Sequence, residues 1–482
     1  MTSWKESLFL SAQKYPDKNV FVDETTNFSY RRLDDITDRI KSIFVDKGVD
    51  KYPRVLVILP RGAVSAAILA SLLCCEAVGL FLDVKISEDE LRTVIDKVRP
   101  HAIISSRWLN QPSQGFSQDI SALLNSSLPL QLIFLNSLKE NEEAPSGLRW
   151  LLHTSGSSGE AKAVMISAEN LWQRAVTEVA DFSLTSQDTI FNCLSFSHDL
   201  GLNQVLCTLC VGCTLFIKSR SVTPFLPALQ NTGAVGVTAT PLVWIDFLKN
   251  HSEPVVTNLR YLTISGGALS RSHELQLRRV FPGTKVLKTY GQTETFRTFI
   301  NDSESADLGR LISGVSIKVT PEGELVHYGN TTMLGYLFQA EQSLKAFDAD
   351  GGVLTKDLVE VDPAGKFFLK GRSDDVVKRF EQRFHLCEVE GIFKSFASVH
   401  EAVAVCIEAP AGDWRQYCLG VFVELKENTK ATSEELLQQV QQRVSYFKVP
   451  DKVIVLAQLP RTVSQKVDRM QLKQMLKVEV LV

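Results

Sequence analysis

The run Leu151-Leu152-His153-Thr154-Ser155-Gly156-Ser157-Ser158-Gly159-Glu160-Ala161-Lys162 alternates small hydroxyl residues with glycines directly after an apolar stretch, and a lysine closes it. Glycine lets backbone N–H groups turn toward an anion, hydroxyls add donors and a lysine adds charge, so the combination suits a phosphate chain. The spacing is not the GxxxxGK[ST] of a Walker loop, and a Gly/Ser run alone is also the composition of a flexible connection. A second candidate for chemistry is Cys207-x-x-Cys210-x-x-Cys213. It lies in the apolar QVLCTLCVGCTLFI, with helical i, i+3 spacing and no fourth ligand nearby, so the three thiols read as buried small hydrophobes.

Elements able to position such a loop recur through the first 300 residues. Strand-like runs are RVLVILP (54–60), AVGLFLDV (77–84), HAIISS (101–106), LQLIFLN (130–136), TLFIKS (214–219), AVGVTAT (234–240) and LRYLTIS (259–265). Amphipathic stretches such as SEDELRTVIDKV (87–98) and SRSHELQLRRVF (270–281) lie between them. Such alternation predicts an α/β fold of βαβ units with mostly parallel sheet. After about residue 305 the glycine-bounded GELVHYG and GKFFLKGR predict antiparallel hairpins or a small β-barrel-like part. From about 372 the pattern is mixed again, with strands AVAVCIEA and GVFVEL and helices EELLQQVQQRV and RMQLKQML. A boundary near Gly371–Asp375 therefore divides a large N-terminal domain, 1–371, from a small α+β C-terminal domain, 372–482.

The chain has 482 residues, 44% hydrophobic and 22% charged, which is the profile of a globular protein with ample core. A formal net charge of −3 gives no reason to expect nucleic acid or a membrane surface as partner. The first residues, MTSWKESLFLSAQKYPDK, carry charges and a proline where a secretory signal needs an unbroken apolar run. Ala63 to Leu82 imitates a membrane span, with Glu76 its one charge, but Gly79 breaks it before the β-like Leu80-Phe81-Leu82; a buried helix and a buried strand are expected instead. Nine cysteines in so long a chain are no disulfide scaffold, which points to a reducing, cytoplasmic setting.

The Thr154–Lys162 run resembles TSGSTGxPKG, the signature of the adenylate-forming superfamily: acyl- and aryl-CoA synthetases, peptide-synthetase adenylation domains and luciferases. Further matches follow in order over roughly residues 28 to 470. Ser265-Gly266-Gly267-Ala268 resembles the family's glycine turn against adenine, and Tyr290-Gly291-Gln292-Thr293-Glu294 its YGxTE motif. Thr355-Lys356-Asp357 stands for TGD, Gly371-Arg372-Ser373-Asp374-Asp375 for GRxDD, and Leu459–Arg469 for LPRTxSGKVDR. The resemblance implies ATP and Mg²⁺, with Thr154, Ser155, Gly156, Ser157, Ser158, Gly159 and Lys162 at the phosphates. Gly266, Gly267, Ala268 and Tyr290 would lie at adenine, Thr293 at the α-phosphate and Glu294 on the metal. Asp357 and Arg372 would hold the ribose, and Lys466 would bridge the substrate carboxylate and the phosphate. The implied reaction is attack of a carboxylate on the α-phosphorus of ATP, expelling pyrophosphate. A large rotation of the mobile C-terminal domain then lets a pantetheine thiol, of CoA or of a separate acyl or peptidyl carrier protein, take the acyl group.

Ser197-His198-Asp199-Leu200-Gly201-Leu202 falls where the family lines its acyl pocket. His198 and Gly201 match the HDxGL form of enzymes that activate fatty and other acyl acids. Asp199 also aligns with the aspartate that grips the ammonium group in amino-acid-activating domains, so a stand-alone amino-acid adenylation enzyme stays open. Three positions depart from the family pattern: Lys356 and Gln465 replace glycines, and Glu381 takes the glycine position of KxxGxRI in Lys378–Phe384. In the family that last loop lies beside the pantetheine tunnel, so Glu381 leaves the acceptor open among CoA, a dedicated carrier and an amine. The altered glycines also leave open a nucleotide-binding protein without turnover. The span from Gly335 to Asp357 is too short for the insertion that marks fatty acyl-AMP ligases.

Overall fold

The computed structural model describes residues 3–49, 52–106, 117–124, 126, 129–135, 145, 147–154, 162–219, 224–379, 382–408, 417–462 and 466–481. Its strands fall on the apolar runs, and its helices begin at small polar caps. Six parallel strands form the middle of a nine-stranded sheet, in the order Lys285–Gln292, Tyr261–Ile264, Gly236–Ala239, Thr189–Asn192, Thr214–Ile217 and Asn19–Val22. Phe296–Asn301 and Arg310–Leu311 extend it antiparallel at one edge, and Asn27–Ser29 at the other. An eight-stranded sheet has Leu148–Thr154, Val78–Leu82, Arg54–Ile58 and Ala102–Ser105 parallel at its centre. Arg54–Ile58 and Val78–Leu82 are buried at every position, which is why these runs are continuously apolar rather than alternating. The fold is α/β, as the alternation of periods predicts.

Helix starts follow cap chemistry. Ser87 accepts from the Glu90 N–H while Glu90 reaches back, opening Glu88–Val98; Ser167 and Asn170 do the same for Ala168–Asp181. The apolar stretch that imitates a membrane span is the helix Ala63–Cys74 followed by the strand Val78–Leu82, with Glu76 left-handed between them at φ +62°. The Trp150 ring lies 2.4 Å from where a Cβ on Gly79 would stand, so only glycine fits there. Among the described residues no helix is long and apolar enough to cross a membrane. Cys207 sits within the helix Asp199–Val211, and all nine cysteines are free. Burial pushes the thiol of Cys210 up to about 11 and that of Cys213 up to about 12, so these are packing groups and not thiolates.

Contacts divide the chain into two compact units. The second holds Val319–Leu325 and Lys356–Val482, and the first holds Ala161–Lys318 and Val326–Thr355 with the described residues before them. The second unit has its own core around Val389, Phe393, Ala402, Leu419, Val421 and Leu436. Its three-stranded sheet pairs Val399–Glu408 antiparallel with Tyr417–Leu425, and Tyr417–Leu425 parallel with Lys452–Leu456. The helices Leu386–Lys394, Ser433–Gln441 and Arg469–Leu481 accompany it. Arg379, buried, grips both oxygens of Asp451 at 2.8 and 2.9 Å, and Asp451 also accepts from the Leu419 N–H at 2.7 Å.

Candidate active site

In the first unit the candidate residues gather at the carboxyl ends of the parallel strands, the edge where open α/β sheets bind ligands. Gly266 follows Tyr261–Ile264, and Tyr290 lies near the end of the neighbouring Lys285–Gln292. Gly266 is left-handed at φ +80°, and a Cβ there would already touch Leu200 and Thr240, at 3.7 and 3.8 Å. A Cβ on Gly267 would likewise touch the Pro241 ring, at 3.5 Å. Beneath this turn, hydroxyls of Thr263, Ser265 and Thr289 form a chain with spacings of 3.0 and 2.7 Å. Tyr290 pairs in register with Phe299, their ring centroids 6.0 Å apart.

Gly291 admits no other residue: a Cβ would stand 1.8 Å from the carbonyl oxygen of Phe296 across the hairpin. The turn carrying Thr293 and Glu294 is closed by two bonds between Gln292 and Thr295, from the Thr295 N–H at 3.2 Å and to its hydroxyl at 3.3 Å. The Glu294 carboxylate accepts from the Tyr336 hydroxyl at 3.2 Å, and the Glu294 carbonyl accepts from the Met333 N–H at 2.8 Å. The Lys162 ammonium lies 4.4 Å above the Tyr336 ring. Tyr336 therefore joins a cation and an anion in one cluster. Sequence reasoning missed it: Gly335-Tyr336 sits in the otherwise apolar LGYLF, and its one local signal is a glycine at φ +123°.

Thr154 and Lys162 are cross-strand partners at the end of an antiparallel pair, so the two ends of the hydroxyl-rich run meet. Ser155, Gly156, Ser157, Ser158 and Gly159 lie outside the described residues, as do Glu381 and Gln465. His198 caps the helix Asp199–Val211 from an extended backbone, and Asp199 is that helix's first residue, where the dipole favours an acid. Burial holds the neighbouring His153 imidazole below the usual range, and the charges of Lys97 and His198 add to this. Gly201 has a packing reason of its own, since a Cβ would stand 2.1 Å from the Ser195 carbonyl oxygen.

Asp357, Arg372 and Lys466 belong to the second unit. Asp357 and Arg372 are register partners in a hairpin, and their side chains stand 3.4 Å apart with Asp357 buried. Lys356 is left-handed at φ +60°, a conformation that suits the glycine of the resembling motif, and its N–H is held by Glu324 at 2.8 Å. Lys466 is exposed; its carbonyl accepts from the Thr462 N–H at 2.8 Å, and a bridge pairs Arg461 with Val467 beside it.

The donors suit a metal–nucleotide. The Glu294 carboxylate has the hard oxygens that a magnesium ion takes and shares Tyr336 with the Lys162 ammonium, and Thr293 carries a hydroxyl. A magnesium ion held at Glu294 would neutralise charge on bound phosphates.

Comparison with known proteins identifies the family. The model of the AMP-binding enzyme family matches residues 8–337, and that of the AMP-binding enzyme C-terminal domain matches residues 388–466. The chain is 23% identical over 480 residues to a 2-succinylbenzoate–CoA ligase of Bacillus cereus (strain Q1), covering 95% of this chain and 96% of that one. It is 25% identical over 484 residues to a D-alanine–D-alanyl carrier protein ligase of Staphylococcus epidermidis, again covering 95% and 96%. Among solved structures, ATP-bound MatB from Rhodopseudomonas palustris superimposes with a TM-score of 0.82 at 19% identity, covering 99% of each chain. The o-succinylbenzoate CoA synthetase MenE from Bacillus subtilis, in complex with its acyl-adenylate intermediate, gives 0.82 at 20% identity over 98% of each. With its family model spanning more than half the chain, the protein belongs to the AMP-binding enzymes.

Proposed function

We propose that this chain is an adenylate-forming acid–thiol ligase. It joins a carboxylic acid to ATP as an acyl-adenylate, releases pyrophosphate, and passes the acyl group to a pantetheine thiol of CoA or of a separate carrier protein. The observation that carries this reading is the Lys162–Tyr336–Glu294 cluster, set beside the Gly266 and Tyr290 turns at the carboxyl edge of the sheet. The matched relatives, a CoA ligase and a carrier-protein ligase, support the reaction class.

The roles follow from residue type. Two anions must approach each other, so the site needs fixed positive charge and donors where charge accumulates. Lys162 and the Thr154–Gly159 run meet the phosphates, with Thr293 at the α-phosphate. Gly266, Gly267, Ala268 and the Tyr290 ring take the adenine, while Asp357 accepts from the ribose hydroxyls with Arg372 beside it. Lys466 brings its ammonium between carboxylate and phosphate. The catalytic lysine is thus delivered by the small domain, which we place from residue 372 onward.

For the acid, His198 favours an acyl, fatty-type substrate. Gly201 loses its weight as a marker, because the Ser195 carbonyl requires a glycine there whatever the substrate. A second reading, amino-acid activation, draws on Asp199 at the helix start and on the D-alanine ligase relative. Nine free cysteines suit a reducing, cytoplasmic setting. The test is pyrophosphate exchange into ATP across fatty, aryl, hydroxy and amino acids, with Lys466→Ala as control. Exchange confined to one acid class and lost in the variant establishes adenylation and names the substrate. No exchange with any acid overturns the reading.

A further inference from the structure

Behind the Thr293–Glu294 turn lie three charged side chains that the proposed reaction does not use. Glu178, in the helix Ala168–Asp181, meets Arg174 at 2.6 Å and Arg297 at 2.9 Å, and the three side chains are only 2 to 4% exposed. Two guanidinium groups share this one carboxylate, and the charge of Asp181 at the end of the same helix also acts on Arg297. Arg174 donates a hydrogen bond to Glu178, whereas Arg297 meets it as an ion pair; among the described residues the Arg174 Nε and all three guanidinium nitrogens of Arg297 have no hydrogen-bond partner. Burying charges is expensive, and replacing such a group by apolar residues is often neutral or stabilising, so stability alone does not account for it.

Its place does. Arg297 is the register partner of Gly291, and Phe296 pairs with Gln292, so the triad grips the strand that closes the turn. Phe296 is left-handed at φ +54°, a conformation costly for an aromatic residue and maintained only when its surroundings over-determine it. They do: the Arg174 guanidinium lies 5.9 Å over the Phe296 ring, and that of Arg297 lies 5.1 Å over Phe182 at the end of the same helix. The helix Ala168–Asp181 continues directly from the strand Lys162–Ser167, whose first residue stands over Tyr336. One continuous strand–helix segment thus carries Lys162 at one end and the anchor of the Glu294 turn at the other.

We propose that Glu178 is a positioning residue, which through Arg297 and Arg174 sets the Thr293–Glu294 turn against Lys162 for metal-bound ATP. This rests on the reading of that turn as the metal–phosphate site. The test is calorimetric binding of MgATP and of metal-free ATP to the full chain, with melting temperature measured in parallel. Glu178→Gln should weaken MgATP about tenfold, which is 1.4 kcal/mol, and change metal-free ATP by less than about twofold. Glu178→Asp, which keeps the charge but shortens the reach, should show the same discrimination in part and serves if the amide variant does not fold. The double variant Glu178→Gln/Arg297→Gln should bind MgATP no worse than the weaker single, because the pair acts as a unit. A lowered melting temperature with the MgATP to ATP preference unchanged overturns the proposal. Wild type that binds MgATP yet exchanges pyrophosphate with no acid defeats the ligase reading and leaves this inference to the binding data.

Discussion

The Glu294 turn and the Lys466 segment carry two of the proposed reaction's charges, and they are built in opposite ways. Around Glu294 nearly everything is over-determined: Gly291 fits against a carbonyl, Tyr336 holds the carboxylate, and a buried ion triad fixes the strand behind. Lys466 is an exposed side chain whose carbonyl accepts from the N–H and the hydroxyl of Thr462, with a single bridge pairing Arg461 and Val467 beside it. Preorganised donors do most for a ligand whose charge is present throughout, as in a bound triphosphate. A group needed in one half of a two-step reaction is better carried on an element that another arrangement can withdraw.

The sharpest way to break that comparison is Lys466→Ala. Its loss should lower pyrophosphate exchange by about 10²–10³-fold, the usual effect of removing one transition-state charge, while ATP binding and melting temperature stay near wild type. Weakened ATP binding of similar size would make Lys466 part of the fixed site instead. Gly291→Ala tests the other side. The added methyl meets the Phe296 carbonyl, so the hairpin must open, at about 3 kcal/mol of stability, and ATP binding should go with it. An unchanged melting temperature would show that the turn yields easily and is not over-determined.

A third experiment assigns stability to one unit. Burial lowers His327, fully enclosed between Thr298 and Thr331, from about 6.5 to about 4, and burial with Arg54 nearby does the same to His101. Both belong to the first unit. Between pH 6.5 and 4 the unfolded chain holds protons that the folded one refuses, so stability falls as the pH falls through that window and is unaffected above it. The loss is about 3 kcal/mol for His327, and less for the half-exposed His101, where water screens the charge. Melting curves from pH 7 to 4.5 should show the acid-sensitive transition in the first unit, with a flatter slope in His327→Gln.

Much of this frame was legible in the sequence, for identifiable reasons. Strands such as Arg54–Ile58 and Tyr261–Ile264 stand on continuous apolar runs, and the helices Glu88–Val98 and Arg271–Val280 on amphipathic stretches, all local properties of a few residues. The glycine turns and the Tyr290–Glu294 segment are legible by motif resemblance, and the close approach of the Phe296 carbonyl is the physical cause of the glycine at 291. What was illegible is what depends on pairing across the fold. Glu178 and Arg297 each look like ordinary surface charges, and nothing periodic links them. Tyr336 is an aromatic residue in an apolar segment until Lys162 and Glu294 are brought to its two ends. Lys356 read as a departure from a glycine motif, whereas its backbone keeps the left-handed conformation with an ordinary side chain attached.

Tyr336 also offers the finest division of the fixed site, because its ring and its hydroxyl do different things. Tyr336→Phe keeps the aromatic face beneath the Lys162 ammonium and removes only the hydrogen bond to Glu294. A hydrogen bond to a charged group is worth about 1.5–3 kcal/mol, and water can replace part of it at a half-buried carboxylate. MgATP should therefore bind about tenfold more weakly, with the difference vanishing when the metal is left out. The hydroxyl would then be acting through Glu294. Equal weakening with and without metal would instead assign Tyr336 to the phosphate side, through Lys162. In that case Tyr336→Leu, which removes the ring as well, should be much the worse of the two variants.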